Sequence, residues 1–267
     1  MSRSKAAVAV LVLTSFTIPI TSSADGDSQH EFLHFSHPLI SESPSPDTKI
    51  RTDYIFRNET GEESAKIHVA QLEAEYAFRP WISVETNIPL TFRNPDDGKS
   101  RRNLDTIEIG VKLATFALAD HGVLLGGGIE FGLPTGDSSK GIGSSHILEV
   151  EPFIDFGFKH QDLEIVGFLS PAVPTNKNGE DEADVELGWS LSMLYHLHRR
   201  VEVLLEFDGE RAFGGEESGH ATANISPGLK VVPTANQNLQ IGVGVSLPIS
   251  DDEDFDVRTI LSVFYHF

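Results

Sequence analysis

The sequence predicts an all-β fold, an antiparallel up-and-down transmembrane β-barrel of about twelve strands. Segments of roughly ten residues alternate between apolar and polar side chains, which is typical of strands with one apolar face. The connections between these segments alternate in length, and the last segment ends the chain with aromatic residues at alternate positions. Mean hydropathy is only −0.13, which fits a barrel because only every second strand residue faces lipid.

The alternation is clearest where one apolar series continues along a whole strand. In residues 82–92, Ile82 and Val84 are predicted to face lipid, and Ser83 and Glu85 to face the lumen. The same pattern predicts strands in residues 107–113, 123–133, 148–158, 185–195, 221–231, 239–249 and 255–267. Weaker alternation predicts the remaining strands in residues 50–56, 72–78, 163–169 and 201–207.

The connections are predicted to form two different rims. Short turns are expected at residues 79–80, 119–122, 159–162, 196–199 and 233–238, and longer loops at 57–65, 93–105, 134–146, 173–183, 209–219 and 250–254. This asymmetry is typical of outer-membrane barrels, whereas a soluble β-sandwich, the alternative, does not require it. Aromatic side chains are expected in girdles at both rims, with Phe116 at the short turns and Phe255 at the long loops.

The N-terminus has the features of a secretory signal peptide, which predicts three segments. Residues 1–24 combine basic Arg3 and Lys5 with an apolar stretch and small residues before a cleavage point. An uncleaved anchor is the alternative. Residues 25–47 are a polar, Ser- and Pro-rich leader, predicted to be a periplasmic tail or a plug, and residues 48–267 are the predicted barrel.

Composition excludes several classes of function. The chain has no cysteine, so thiolate metal sites and cysteine nucleophiles are impossible. Its formal net charge of −20 argues against nucleic acid as a partner, because phosphate binding needs a basic surface. No cofactor is predicted.

The polar residues of the alternating pattern predict an acidic lumen, since carboxylates outnumber bases among them. The candidate lumen-lining residues are Arg51, Asp53, Glu73, Glu85, Glu108, Lys112, Glu130, Glu149, Glu151, Asp155, Glu186, Glu206, Lys230 and Arg258. An acidic constriction favours cations or neutral solutes over anions. The alternative is a filled lumen in which these charges form structural pairs.

Other polar clusters are weaker candidates. His30, His34 and His37 could bind a metal from one helical face, but Pro38 argues against a long helix, so no metal site is predicted. The acidic loops 179–184 and 251–254 lack the ligand spacing of a calcium loop, which favours solvated loops.

An enzyme is not predicted. A lipid hydrolase needs Ser and His within hydrogen-bond reach. The nearest pairs along the chain are His34 with Ser36, outside the barrel, and His220 with Thr222, which lacks the serine.

The C-terminal sequence Leu261-Ser262-Val263-Phe264-Tyr265-His266-Phe267 resembles the C-terminal signature of outer-membrane barrels. That resemblance implies recognition of Tyr265 and Phe267 by the barrel-assembly machinery. Together with the two unequal rims, this predicts a location in the bacterial outer membrane, with its lipid and lipopolysaccharide as partners.

Two further stretches resemble the outer-membrane transporter family labelled as the MetA-pathway of phenol degradation. They are His37-Pro38-Leu39-Ile40, continuing through residues 42–49, and Gly132-Leu133-Pro134-Thr135-Gly136-Asp137, continuing through residues 138–143. The resemblance implies transport of a small aromatic or hydrophobic compound. The sequence thus predicts an outer-membrane channel, with a structural or adhesive barrel and, less favoured, a lipid-modifying enzyme as alternatives.

Overall fold

The computed structural model describes residues 33–59, 64–96, 98–175, 183–215 and 218–267. The predicted signal peptide, residues 1–24, lies outside these ranges, as do His30 and residues 179–182 of one acidic loop. These interpretations therefore stay predictions. Within the described ranges, no helix combines the length and apolar character needed to span a membrane.

One antiparallel sheet contains all the strands of the described chain. The strands are β1 (Lys49–Glu59), β2 (Ala65–Arg79), β3 (Ile82–Pro95), β4 (Arg101–Leu104), β5 (Ile107–Thr115), β6 (Val123–Leu133), β7 (Glu149–His160), β8 (Leu163–Pro174), β9 (Val185–His198), β10 (Val201–Phe213), β11 (Ala221–Val231), β12 (Leu239–Pro248) and β13 (Phe255–His266). Single-turn 3-10 helices lie at Ala119–His121 and Ser138–Lys140.

The sheet closes on itself. The first and last strands pair, with Ile50 opposite Tyr265, and β2 pairs with both β1 and β3. The short strand β4 pairs with one half of β3 and β5 pairs with the other. Because β4 and β5 share one position in the ring, the barrel has twelve positions, and the predicted fold is confirmed.

The strands extend further toward the long loops than the alternation predicts. The predicted loop 93–105 contains β4, and β10 continues to Phe213, inside the predicted loop 209–219. Pairs such as Glu210 with Thr222 hold this part of the sheet together. Backbone hydrogen bonding needs no apolar face once a strand has left the hydrocarbon, so hydropathy alone does not detect these extensions.

The outer face of the ring is apolar. Side chains such as Ile154 and Leu261, 63% and 47% exposed, point away from the lumen on every second position. At the end of the chain Tyr265 and Phe267 are also exposed, with their rings edge to face and centroids 5.0 Å apart. Recognition of these two residues by the assembly machinery stays a prediction.

Two predicted girdle aromatics face inward instead. Phe116 lies four positions after the inward-facing Lys112, so its side chain also points inward. It packs against the apolar cluster inside the barrel. Phe255 is buried because the register between β1 and β13 shifts at Glu59, which reverses the parity of the alternation there. Phe255 stacks under Arg258, whose guanidinium carbon lies 5.0 Å from the ring centroid.

Candidate functional site in the barrel lumen

A segment without helix or strand lies inside the barrel before β1 begins. We call residues 33–48 the leader loop. Phe35 and Leu39 of this loop are fully buried. They form one apolar cluster with side chains of the wall, Leu124, Val166, Leu194, Leu204, Ile260 and Phe264. Apart from Ile260, which lies in the middle of β13, the wall members lie near the short-turn ends of their strands, so the leader loop occupies that half of the lumen.

The loop rises into the lumen and returns. The backbone N–H of Ser36 donates to Glu164 (2.8 Å), the hydroxyls of Ser41 and Ser190 lie 2.6 Å apart, and the N–H of Asp47 donates to Glu75 (3.1 Å). The two limbs are joined where the N–H of Phe35 donates to the Ser45 hydroxyl, at 2.9 Å. The Ser43 hydroxyl donates back to the carbonyl of Phe35.

Glu206 holds the tip of the loop. Its carboxylate accepts the backbone N–H groups of Leu39, Ile40 and Ser41 at 3.1, 3.2 and 3.4 Å, and the Ser192 hydroxyl at 2.8 Å. An irregular buried segment has no ladder to satisfy its backbone groups. One strand carboxylate therefore takes the place of the missing secondary structure.

Bases of the wall bind the carbonyl groups of the same loop. Lys230 donates to the carbonyl of His37 at 2.8 Å, and Arg51 donates to that of Leu39. Lys112 pairs with the Glu42 side chain at 3.2 Å. These three bases are among the predicted lumen-lining residues, and in the structure they contact the protein's own leader.

Glycines of the wall make room for the two apolar side chains of the loop. A Cβ atom on Gly157 would lie 2.6 Å from Cζ of Phe35, and one on Gly228 would lie 2.9 Å from Cδ1 of Leu39. Real Cβ atoms do not approach so closely, so a larger residue at either position would force the loop side chain to shift.

Ion pairs between strands neutralise much of the wall. Lys49 lies 2.7 Å from Glu73 and 2.5 Å from Glu75. Further pairs between strands include Lys112 with Glu85, Lys230 with Glu202 and Arg258 with Asp208. Arg51 pairs with Asp53 within β1. A buried charge without a partner would be costly, so this pairing permits a narrow, charged lumen.

Among the cavities bounded by the described residues, three follow the lumen. A central cavity of about 240 Å³ adjoins a larger one of about 780 Å³ toward the long loops, and Ile40, Glu42 and Arg258 line both. A third, of about 610 Å³, opens at the short turns beside Ser36 and His196. The leader loop and its apolar cluster lie between the third cavity and the other two.

The fourteen predicted lumen residues fall into three groups. Lining the central cavity are Arg51, Asp53, Glu73, Glu85, Glu108, Glu130 and Arg258. Contacting the leader loop are Arg51 again, Lys112, Glu206 and Lys230. Asp155 is buried, and Glu149, Glu151 and Glu186 are partly buried on β7 and β9. Contact of any of them with a solute stays a prediction.

The residues that sequence reasoning missed belong mostly to the leader loop. Phe35, Leu39 and Ile40 form an apolar group in an otherwise polar stretch, and this was the available signal for burial. Nothing in the alternation of the strands indicates where such a group packs.

Burial shifts the titration of the leader loop. It lowers the pKa of His37 to about 3, with the charge of Lys49 adding to the effect. It raises the pKa of Glu42 to about 7, against the attraction of Lys112. Burial also acts to raise the pKa of Asp47, but hydrogen bonds to His266, His34 and His37 outweigh it and hold that pKa well below its usual range.

The pairs considered for hydrolysis do not come together. The hydroxyl of Ser36 donates to Glu202 at 3.3 Å, while Nε2 of His34 lies 3.4 Å from Asp47. At the opposite rim His220 contacts Asp254 at 3.2 Å. Residues 33–38 are not helical, so the histidines of this stretch do not share a helix face.

Comparisons with known proteins show the fold. No family profile and no curated protein matches the sequence. The COG4313 outer membrane channel from Pseudomonas putida F1 superposes with a TM-score of 0.64 at 12% identity, over 91% of this chain and 100% of that one. The KdgM porin in complex with disordered oligogalacturonate gives 0.55 at 10%, over 82% and 99%. The β domain of the Bordetella autotransporter BrkA gives 0.52 at 10%, over 83% and 99%.

The chain therefore has the fold of bacterial outer-membrane β-barrels. Channels and an autotransporter domain share that fold, so barrel shape alone does not assign a function. The functional argument depends on the contents of the lumen.

Proposed function

We propose that this protein is an outer-membrane channel for a small neutral or cationic solute, and that the leader loop closes it at rest. The observation that carries the proposal is that the leader loop, packed on an apolar cluster of the wall, separates the polar cavities of the lumen. Cavities of about 780 and 610 Å³ lie toward the long loops and at the short turns, on opposite sides of that segment. A barrel of this size encloses a passage that one inserted loop can block.

The lining of the central cavity supports the choice of solute. Six carboxylates, Glu42, Asp53, Glu73, Glu85, Glu108 and Glu130, face two bases, Arg51 and Arg258. Such a ring disfavours anions. Its apolar members Leu39, Ile40, Ile55 and Ile260 offer contact to a small hydrophobic or aromatic molecule, as the family resemblance implies. The orientation follows from the short turns, which face the periplasm in barrels of this kind.

A disulfide between loop and wall tests the proposal. The hydroxyls of Ser41 and Ser190 are 2.6 Å apart, a separation compatible with a disulfide after Ser41→Cys and Ser190→Cys. The chain has no native cysteine, so no other pairing competes. We expect the oxidised double variant to block liposome swelling by small neutral and cationic solutes, including a neutral aromatic one, and reduction to restore it.

A matched control joins two wall strands without touching the loop. The hydroxyls of Ser226 and Ser246 are 2.8 Å apart on β11 and β12, so Ser226→Cys with Ser246→Cys places the same bond in the wall. Its transport should not respond to oxidation. Equal transport by the oxidised and reduced loop variants would contradict gating. An absence of transport by every form would contradict the channel and favour a structural or adhesive barrel.

A further inference from the structure

Three imidazoles and one carboxylate meet at the short-turn end of the lumen. Nε2 of His37 and Nε2 of His34 lie 3.2 and 3.4 Å from the same oxygen of Asp47, Oδ2. Nδ1 of His266, the penultimate residue, lies 2.7 Å from that oxygen. The two limbs of the leader loop and the end of β13 therefore converge on one atom.

We propose that His34, His37 and Asp47 form a binding site for a divalent transition-metal ion, with zinc as the best fit. Zinc bonds of about 2.0–2.1 Å to imidazole nitrogen and carboxylate oxygen place neighbouring ligand atoms of a tetrahedron about 3.3 Å apart. The two nitrogen-to-oxygen distances are 3.2 and 3.4 Å, and all three ligand atoms lie within 4.8 Å of one another.

The surroundings hold the ligands in place. The carbonyl of His37 accepts a hydrogen bond from the ammonium of Lys230 at 2.8 Å. The imidazole of His37 stacks on the ring of Phe264, with centroids 6.3 Å apart. The other oxygen of Asp47 accepts the N–H of Thr48 at 2.7 Å. His266 beside Asp47 supplies the kind of support that orients a metal-bound carboxylate.

The site also has an entrance. The His37 side chain is buried, but that of His34 is 51% exposed, so an ion can enter from the short-turn rim. Three protein ligands leave a fourth position for water. Metal binding at this site requires only the folded leader loop and does not require transport.

Cobalt binding to the refolded full-length protein in detergent tests the site. Co²⁺ replaces zinc and reports tetrahedral nitrogen and oxygen ligation through its visible absorption. A second cluster, Glu210, His220 and Asp254, lies at the long loops, so the titration is done in a His220→Gln background. We expect one equivalent of Co²⁺ to bind and Zn²⁺ to displace it.

His34→Gln should weaken binding at least about tenfold, by removal of one ligand from a three-ligand site. The matched control is His121→Gln, which removes an exposed histidine from a short turn. Since His34 is half exposed, its loss should leave the heat-dependent gel mobility of the folded barrel unchanged. Equal affinity of the His34 and His121 variants would overturn the proposal, as would an octahedral cobalt spectrum.

Amide hydrogen exchange gives a second readout. A metal ion that joins residues 34, 37 and 47 should slow exchange throughout the leader loop, because it ties the two limbs together. Exchange in β6 and β7, which carry no ligand, provides the internal reference. Saturation with Zn²⁺ that left exchange of the loop unchanged would place the bound ion elsewhere and overturn the assignment.

Discussion

The two halves of the lumen are built by different means. Toward the long loops, mostly strand side chains surround a cavity of about 780 Å³, with Ile40, Ser41 and Glu42 of the leader loop also in its lining. The positions of the strand side chains follow the alternation of each strand. Toward the short turns, the leader loop fills the space, and the charged wall binds its backbone through Glu206, Arg51 and Lys230. The same class of inward charge therefore lines a passage in one half and anchors a plug in the other.

This difference shows why an inward charge is not by itself a solute contact. A barrel wall presents polar groups to whatever occupies the lumen, and an irregular peptide competes for them as strongly as a solute does. Removal of the plug should therefore change the lumen most, and loss of a single anchor or contact should change it less.

Deletion of residues 25–46 should have the largest effect. It removes the apolar contacts of Phe35 and Leu39 and should join the cavities into one passage, so single-channel conductance should rise by at least about tenfold. Planar bilayers with full-length and shortened protein side by side provide the measurement. Unchanged conductance would mean that the wall, and not the loop, sets the constriction.

Glu206→Ala should release the tip of the loop. Three backbone N–H groups lose their acceptor, and each buried donor left unsatisfied costs about 1–3 kcal/mol. With Ser43→Cys as a buried reporter in the loop, the rate of maleimide labelling should rise by about a hundredfold or more. Glu210→Ala, four residues further along β10, should leave labelling unchanged; an equal rise in both variants would contradict the anchor role.

Docking of the leader loop inside the barrel should depend little on pH when the loop is unmodified. It should depend steeply on pH when either His37 or Glu42 is replaced. The docked pKa of His37 is about 3 against an ordinary 6.5, so docking binds fewer protons and weakens as pH falls through 6.5. The docked pKa of Glu42 is about 7 against an ordinary 4.5, so docking binds a proton and weakens as pH rises toward 7. Between pH 7 and 5 each contributes about 2 kcal/mol, in opposite directions.

In the Glu42→Gln variant, labelling of Ser43→Cys should therefore rise by about thirtyfold when the pH falls from 7 to 5. In the His37→Gln variant, labelling should decrease over the same change of pH. Both are measured with EDTA and normalised to an exposed cysteine at Asp120→Cys, because thiol reactivity itself depends on pH. The charges of Lys49, Asp47 and Glu75 also affect the pKa of His37, and all three residues are unchanged in both variants. Parallel pH profiles in the two variants would contradict the opposing titrations.

Gly157→Ala should have the smallest of these effects. The new Cβ would lie 2.6 Å from Cζ of Phe35, and overpacking of this kind costs about 1–3 kcal/mol. Labelling of Ser43→Cys should rise by about tenfold. The matched control is Gly188→Ala, also inward on its strand, where the nearest atom would be 3.6 Å away. A similar rise in Gly188→Ala would attribute the effect to the strands instead.

Much of the fold could be predicted because strand alternation is a local property. Ile82 and Val84 face outward and Ser83 is buried inside, as the sequence predicts, since each residue reverses the direction of the last. Phe255 departs from its predicted face only because a register shift opposite Glu59 reverses the parity. Such a shift depends on the partner strand, which the local sequence does not contain.

The sequence by itself determined the alternating strands and the acidic inward face, because each depends on neighbouring residues. Only the tertiary structure decided that Lys230 meets His37, 193 positions away, and that Asp47 meets His266, 219 positions away. Those contacts arise because ring closure brings distant strands around one irregular segment. The burial of that segment depends on space and hydrogen-bond partners that exist only once the ring has closed.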